Sequence, residues 1–261
     1  MKKNFTFAHT DFYSYYAHIS KNKEVSVSKT VDLMLKELKN ISEDKLIIPT
    51  YNYDFSTNKI FDYYNDNSQV GYFSELFRNK YKDNRSLVPI FSDCSNLDNI
   101  KQFKPSNPMS KNSTFDFLTK NGGKIITFGA NFAPSFIMYV ENCIPGGPRY
   151  RYMKKFTGFI KIKNIKKPIT IKFYCRPLNI YFKYDLKKIK NDITNNKILK
   201  NYKTNNQFKF SSFDAKKFKE YSLLKLQKDH FYFLDKKTKF LMKKFLKKKL
   251  RINIRDFEKN D

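Results

Sequence analysis

Asn121-Gly122-Gly123-Lys124-Ile125-Ile126-Thr127-Phe128-Gly129-Ala130-Asn131 decides how the rest of the chain is read. Two adjacent glycines mark a tight turn. Ile125 to Phe128 are apolar or β-branched, and a third glycine ahead of a polar residue closes the run. A short apolar stretch bounded by turn signals reads as a buried strand. Toward the N-terminus, Leu46-Ile47-Ile48-Pro49-Thr50 is a second such run, stopped by proline. Phe5-Thr6-Phe7-Ala8-His9-Thr10-Asp11-Phe12 is a third, a short strand running into a polar turn. Helical spacing lies between these runs. Val31, Met34, Leu35 and Leu38 fall at i, i+3, i+4 and i+7 behind Ser28, which is placed to cap them, and Val70, Phe73, Leu76 and Phe77 form another stripe. Strand, helix, strand, helix, strand predicts an α/β fold with a central, mostly parallel sheet flanked by helices. Past Gly158 the period changes. Phe159 to Lys163 and Ile169 to Tyr174 alternate apolar and polar residues around Asn164 to Pro168, which predicts an antiparallel hairpin. Eight lysines between Lys236 and Lys249, interleaved with Leu241, Met242, Phe245 and Leu246, read as an amphipathic helix. The expected organisation is one α/β domain over residues 1–235 and a Lys-rich helical tail over 236–261, packed on the domain or extending from it.

Composition narrows the class. The 261 residues are 40% hydrophobic and 17% aromatic, enough to bury a large core, which excludes disorder for most of the chain. Seven glycines and nine prolines exclude collagen-like and linker-like sequences. No run approaches the length of a membrane-spanning helix. The N-terminus has the charge of a signal peptide but no apolar segment, since Asp11 and His18 interrupt it, so a cytoplasmic location is expected. Three cysteines, Cys94, Cys143 and Cys175, lie far apart without a CxxC pair. With only three histidines beside them, neither a disulfide framework nor a metal site is expected.

Fifty-two Lys and Arg against 24 Asp and Glu give a net charge of +28. Nucleic acid, an anionic bilayer or an anionic substrate are the partners such a charge suits. The joint abundance of Lys, Asn, Ile, Phe and Tyr is also what AT-rich coding produces, and that reading is the stronger. The lysines are spread along the chain, so no stable nucleic-acid partner is expected. A basic protein gripping phosphates with its C-terminal helix stands as a rival reading, and its binding must weaken steeply with salt. The tail suits peripheral contact with an anionic membrane, or one face packed on the domain with the other solvated.

No GxGxxG, GxxxxGK[ST], GxSxG or HExxH is present, which removes the easy readings of dinucleotide enzyme, P-loop ATPase, serine hydrolase and zinc protease. All glycines fall between Gly71 and Gly158, so the middle third is where a site is sought. Polar clusters follow each strand: His9-Thr10-Asp11, then Pro49-Thr50-Tyr51-Asn52-Tyr53-Asp54, then Gly129-Ala130-Asn131. Open α/β sheets bind ligands outside the carboxyl ends of their strands, so the three clusters predict one shared cleft.

The ordered clusters resemble the aminoglycoside 3-N-acetyltransferase family over roughly residues 5–180. His9-Thr10-Asp11 is similar to the family's N-terminal His-Ser-Ser/Asp segment, and Leu46 to Thr50 to its strand ending in Pro-Thr. Phe73 to Arg78 with Arg85-Ser86-Leu87-Val88-Pro89-Ile90-Phe91-Ser92 is similar to its helix and Arg-Ser-x-x-Pro-x-x-Ser block. Ser113 to Leu118 with Gly123 to Gly129 resembles the next helix and strand. Ser135-Phe136-Ile137-Met138-Tyr139-Val140-Glu141 falls on the Thr-x-x-His-x-x-Glu element. Arg149-Tyr150-Arg151-Tyr152 with Lys155 to Gly158 looks like the variant found in surface-sugar biosynthesis.

The resemblance implies transfer of an acetyl group from acetyl-CoA, with no metal, to the amine of an amino sugar, more in keeping with a nucleotide-linked sugar for surface polysaccharide than with an antibiotic. It implies a base to take the amine proton, donors for the thioester oxygen and contacts for the CoA phosphates. The implied catalytic set is Asp54, Ser135 and Glu141. The implied CoA-binding set is His9, Thr10, Asp11, Arg85, Ser86 and Ser92. The family's catalytic histidine reads Met138 here, a thioether that takes no proton usefully, and a second family histidine reads Val88. Three repairs stay open: Asp54 or Glu141 serves as base, His9 reaches the site, or the chain binds CoA or sugar without turnover. Each residue has a plainer role beside it. Asp54 caps a turn, Glu141 pairs with Arg149 or Arg151, and Arg85 pairs with Asp83 or Asp93. Tyr150 and Tyr152 either stack on a ring or belong to an edge strand.

Overall fold

The three apolar runs lie side by side in the computed structural model, which describes residues 5–21, 24–132, 135–247 and 249–258. The elements are β1 (Thr6–Thr10), α1 (Phe12–Ile19), α2 (Val27–Ile41), β2 (Leu46–Pro49), α3 (Phe55–Asn58), β3 (Ile60–Asp62), α4 (Tyr72–Lys80), β4 (Asp93–Ser95), α5 (Thr114–Lys120), β5 (Lys124–Phe128), α6 (Ser135–Asn142), β6 (Tyr152–Ile162), β7 (Ile165–Cys175), α7 (Leu186–Asn195), β8 (Leu199–Lys203), β9 (Lys209–Asp214), α8 (Ala215–Lys228) and α9 (Lys236–Leu246). The main sheet has the order β4-β2-β1-β5-β9-β8. Its centre, β2-β1-β5, is parallel, and antiparallel strands continue it on both sides.

Burial on both faces explains why the central strands read as unbroken apolar runs. Phe7, Ile47 and Ile125 point to one face, where α5, α6, α7 and α8 supply Phe115, Phe136, Ile189 and Phe218. Ala8, Ile48, Ile126 and Phe128 point to the other, where α1, α2 and α4 supply Tyr15, Met34, Leu38 and Phe77. The stripe expected behind Ser28 is α2, with Met34, Leu35 and Leu38 buried, but its cap is Ser26, whose Oγ accepts from Lys29 N at 3.3 Å. A cap oxygen must lie three residues before the free amide it satisfies, and Ser28 is already inside the first turn.

The hairpin is β6–β7 in a second sheet of order β3-β6-β7. Its turn is tighter than the spacing suggested, because Ile162 faces Ile165 across Lys163-Asn164, with Lys163 at φ 55. Pro168 sits within β7, opposite Phe159. β7 is an edge strand, where a missing N–H costs no ladder bond. On α9, Met242 is buried against Tyr150, Phe182 and Leu234. Farther on, Phe257 stacks on Tyr152, and Glu258 accepts from Tyr152 and Lys154, so the last described residues are tied to β6. Among the described residues no helix is long and apolar enough to cross a membrane.

Candidate active site

Strand ends and one turn bring the site together. β1 and β5 run parallel with His9 opposite Thr127 and Thr10 opposite Phe128, so both chains leave the sheet at the same level. Gly129 then turns at φ +75, where an added Cβ would come within 3.1 Å of Asp11 O and Ser14 Cβ. Only glycine combines that dihedral with that approach, and the turn lays Ala130 and Asn131 over the end of β1. Pro49 and Tyr51 arrive from β2. The result is a cavity of about 380 Å³ at the carboxyl ends of β1, β2 and β5, lined also by His9, Thr10, Ser135 and Met138. The three polar clusters do share one cleft.

Within it, His9 Nε2 lies 3.2 Å from Ser135 Oγ. Ser135 opens α6 and Met138 follows one turn later, so both present to the same cavity. The His9 ring packs against Phe7, 5.1 Å between centroids. Burial lowers its pKa to about 4. The imidazole is therefore neutral at neutral pH, with one N–H and one lone pair.

Behind Ser135 a buried polar file runs into the protein. Burial raises the pKa of Tyr51 well above its usual value, and the charge of Asp93 adds to this while Ser135 opposes it. Asp93 is itself pushed up to about 8 by burial, against opposing effects of Thr114 and Arg85. Tyr51 Oη and Asp93 Oδ1 are buried without a hydrogen-bond partner among the described residues. Tyr51 belonged to a cluster singled out in the sequence, but nothing there signalled that Asp93, 42 residues on, lies beneath it.

Several expected site residues do other work. Arg85 is 0% exposed. It donates to the carbonyls of Tyr63, Asp66 and Thr50 and to Ser92 Oγ, at 2.7–3.1 Å, so four of its five N–H donors are spent on internal partners. Ser92 Oγ is buried on Thr50 O at 2.7 Å, and Ser86 Oγ accepts from Asp93 N at 3.0 Å. These three tie the β2 end to the β4 end and do not line the cavity. Asp11 caps α1, its carboxylate accepting from Tyr13 N, Ser14 N and Ser14 Oγ. Asp54 is exposed, accepts from Gln69 Nε2 at 2.9 Å, and does not line the cavity. Glu141 is 0% exposed, accepts from Tyr150 Oη, Arg151 Nε and Tyr184 Oη at 2.6–2.8 Å, and does not line the cavity. Arg151 is thereby consumed, Arg149 donates to Leu250 O, and Tyr150 and Tyr152 are buried; none of this segment lines the cavity. His9, Thr10 and Ser135 remain at the cavity.

No protein-family model matches the sequence, and neither does any curated protein. Solved structures match in fold. AAC-IIIb in binary complex with CoASH aligns at a TM-score of 0.67 and 12% identity, covering 87% of this chain and 90% of that one. A variant of aminoglycoside acetyltransferase AAC(3)-IVa in complex with apramycin aligns at 0.63 and 12%, covering 89% and 88%. The YokD protein from Bacillus subtilis aligns at 0.61 and 11%, covering 94% and 89%. The chain has the fold of the aminoglycoside 3-N-acetyltransferases.

Proposed function

We propose that the protein transfers an acetyl group from acetyl-CoA to the amine of an amino sugar, in a route to surface polysaccharide. The observation that carries this reading is the His9–Ser135 pair, open to a cavity at the strand ends of a fold that AAC-IIIb uses to hold CoASH. The acceptor class is supported by the AAC(3)-IVa complex with apramycin, an amine-bearing sugar.

The chemistry assigned to the chain's own groups is proton transfer. As the amine nitrogen bonds to the thioester carbon, its proton passes to Ser135 Oγ while the Ser135 proton moves to His9 Nε2. The carbon–sulfur bond breaks, and the proton held at His9 goes to the departing thiolate. A neutral imidazole is the form this requires, and burial supplies it. The largely apolar walls, including Phe91, Phe132, Met138 and Leu186, keep water away from the thioester.

Titration calorimetry with acetyl-CoA, followed by thiol-release assays with amino-sugar acceptors, tests the reading. Binding together with His9-dependent thiol release is expected. No CoA binding at near-millimolar concentration overturns it.

A further inference from the structure

Beside the cavity lies a second depression, of about 640 Å³, and the two share Ala130. Its floor follows from strand register. His9 on β1 faces Thr127 on β5, Thr127 faces Ser211 on β9, and Ser211 faces Asn201 on β8. In-register partners share a face of the sheet, so one row of four polar side chains crosses four strands, starting at the candidate base. Ser211 Oγ donates to Asn201 Oδ1 at 2.9 Å, which holds the far end of the row in place.

Lysines wall this floor. Lys203 and Lys209 come from β8 and β9, and Lys190 from α7, one turn beyond Leu186 of the first cavity. Lys203 and Lys209 are direct cross-strand partners, and like charges so placed repel. Among the described residues no Asp or Glu lines the depression. Among the described residues none of the three forms an ion pair. Three uncompensated cations over a row of hydroxyl and amide groups suit a pyrophosphate, with lysines meeting its charge and the floor its oxygens. A polycationic antibiotic would be repelled there.

We infer that this groove binds the pyrophosphate of the acceptor, a nucleoside-diphosphate-linked amino sugar, and so delivers the sugar amine to His9. The inference rests on the acetyltransfer proposed above and names its acceptor class. Reach favours the acceptor over CoA as the source of the pyrophosphate. The β9 floor lies about 10 Å from β1, two strand spacings, a distance that one hexose and its phosphate span and that the long pantetheine arm overshoots.

The test is calorimetry at low salt on the full chain with uridine diphosphate, inorganic pyrophosphate and, separately, CoA. The groove variant carries Lys190→Glu, Lys203→Glu and Lys209→Glu; a milder one carries Gln at the same positions. A control carries Lys155→Glu, Lys166→Glu and Lys167→Glu on the β6–β7 hairpin, matching the change in net charge. All six lysines are exposed. Affinity for uridine diphosphate is expected to fall about tenfold or more in the groove variant, less in the Gln variant, and to stay within about twofold of wild type in the control, with CoA binding retained throughout. Absence of uridine diphosphate and pyrophosphate binding by wild type, equal loss in the control, or selective loss of CoA each overturns the inference. If uridine diphosphate binds as expected but no amino sugar is acetylated, the transferase reading falls and the groove assignment stands.

Discussion

His9 and Ser135 are separated by 126 positions in the chain, yet their side chains meet at 3.2 Å across the mouth of the parallel sheet. One comes from the last turn of pleat on β1 and the other from the first turn of α6. Parallel strands deliver their ends to one side of a sheet, so two groups with no sequence relation come within hydrogen-bond reach of each other. Acting as a unit, they predict non-additive losses. His9→Ala and Ser135→Ala are each expected to lower kcat about 10²-fold or more, and the double variant little further. Steady-state thiol release measures this; full additivity would separate the two residues.

The pH behaviour of His9 follows from its lowered pKa. The unfolded chain takes up this proton near 6.5 and the folded one only near 4. Between those values the unfolded state binds more protons, so this contribution to stability is lost as pH falls from about 6.5 toward 4. Nuclear magnetic resonance of the His9 ring is expected to show a neutral imidazole at pH 5.5. A midpoint near 6.5 would place the ring in water rather than in a buried setting.

Asp93 has the opposite sign. Its carboxyl is held protonated up to about 8, against 3.8 for the ordinary group. The folded state keeps a proton that the unfolded state has released, so stability falls as pH rises from about 4 to 8. Asp93→Asn is expected to flatten this slope and to raise Tm at pH 8 more than at pH 5, read by thermal unfolding at both values.

How much of this was legible before the structure depends on where each residue's partners come from. The central strands were legible because burial on both faces leaves an unbroken apolar run, and the cleft was legible because polar residues follow each run. The hairpin turn was misplaced because Pro168 reads as a break, and only its edge position makes it compatible with a strand. Glu141 and Arg85 were misread for a different reason. Whether a charged side chain faces a ligand or an internal partner is set by contacts such as Tyr184 and Thr50, which lie 43 and 35 positions away. No local pattern encodes them. His9 was legible as a strand-end residue that reaches the site, but its contact with Ser135 emerged only when α6 was placed against it.

Met138 occupies the same cavity, one helical turn after Ser135. An imidazole there has a hydroxyl neighbour on its own helix and the same access to the cavity that His9 has. Met138→His is therefore expected to restore about tenfold of the transfer lost in His9→Ala, within the range that a positioned base contributes. A wild-type chain with no transfer to any amino sugar that gains it through Met138→His alone would instead identify a protein that binds without turnover.

Glu141 separates a structural from a catalytic assignment. Its carboxylate is the only acid meeting the buried Arg151 guanidinium among the described residues, and Tyr150 and Tyr184 donate to it as well. Removing one member of such a pair strands the other's charge in the interior, so Glu141→Gln is expected to cost about 3–5 kcal/mol of stability. Pairing it with Arg151→Met should recover a large part, because the stranded charge goes too. Denaturant unfolding of the single and double variants measures both effects. The folded fraction of Glu141→Gln is expected to keep its CoA affinity and its thiol-release rate. A general base would behave in the reverse way, with stability kept and transfer lost, and that outcome would return Glu141 to the reaction and displace His9.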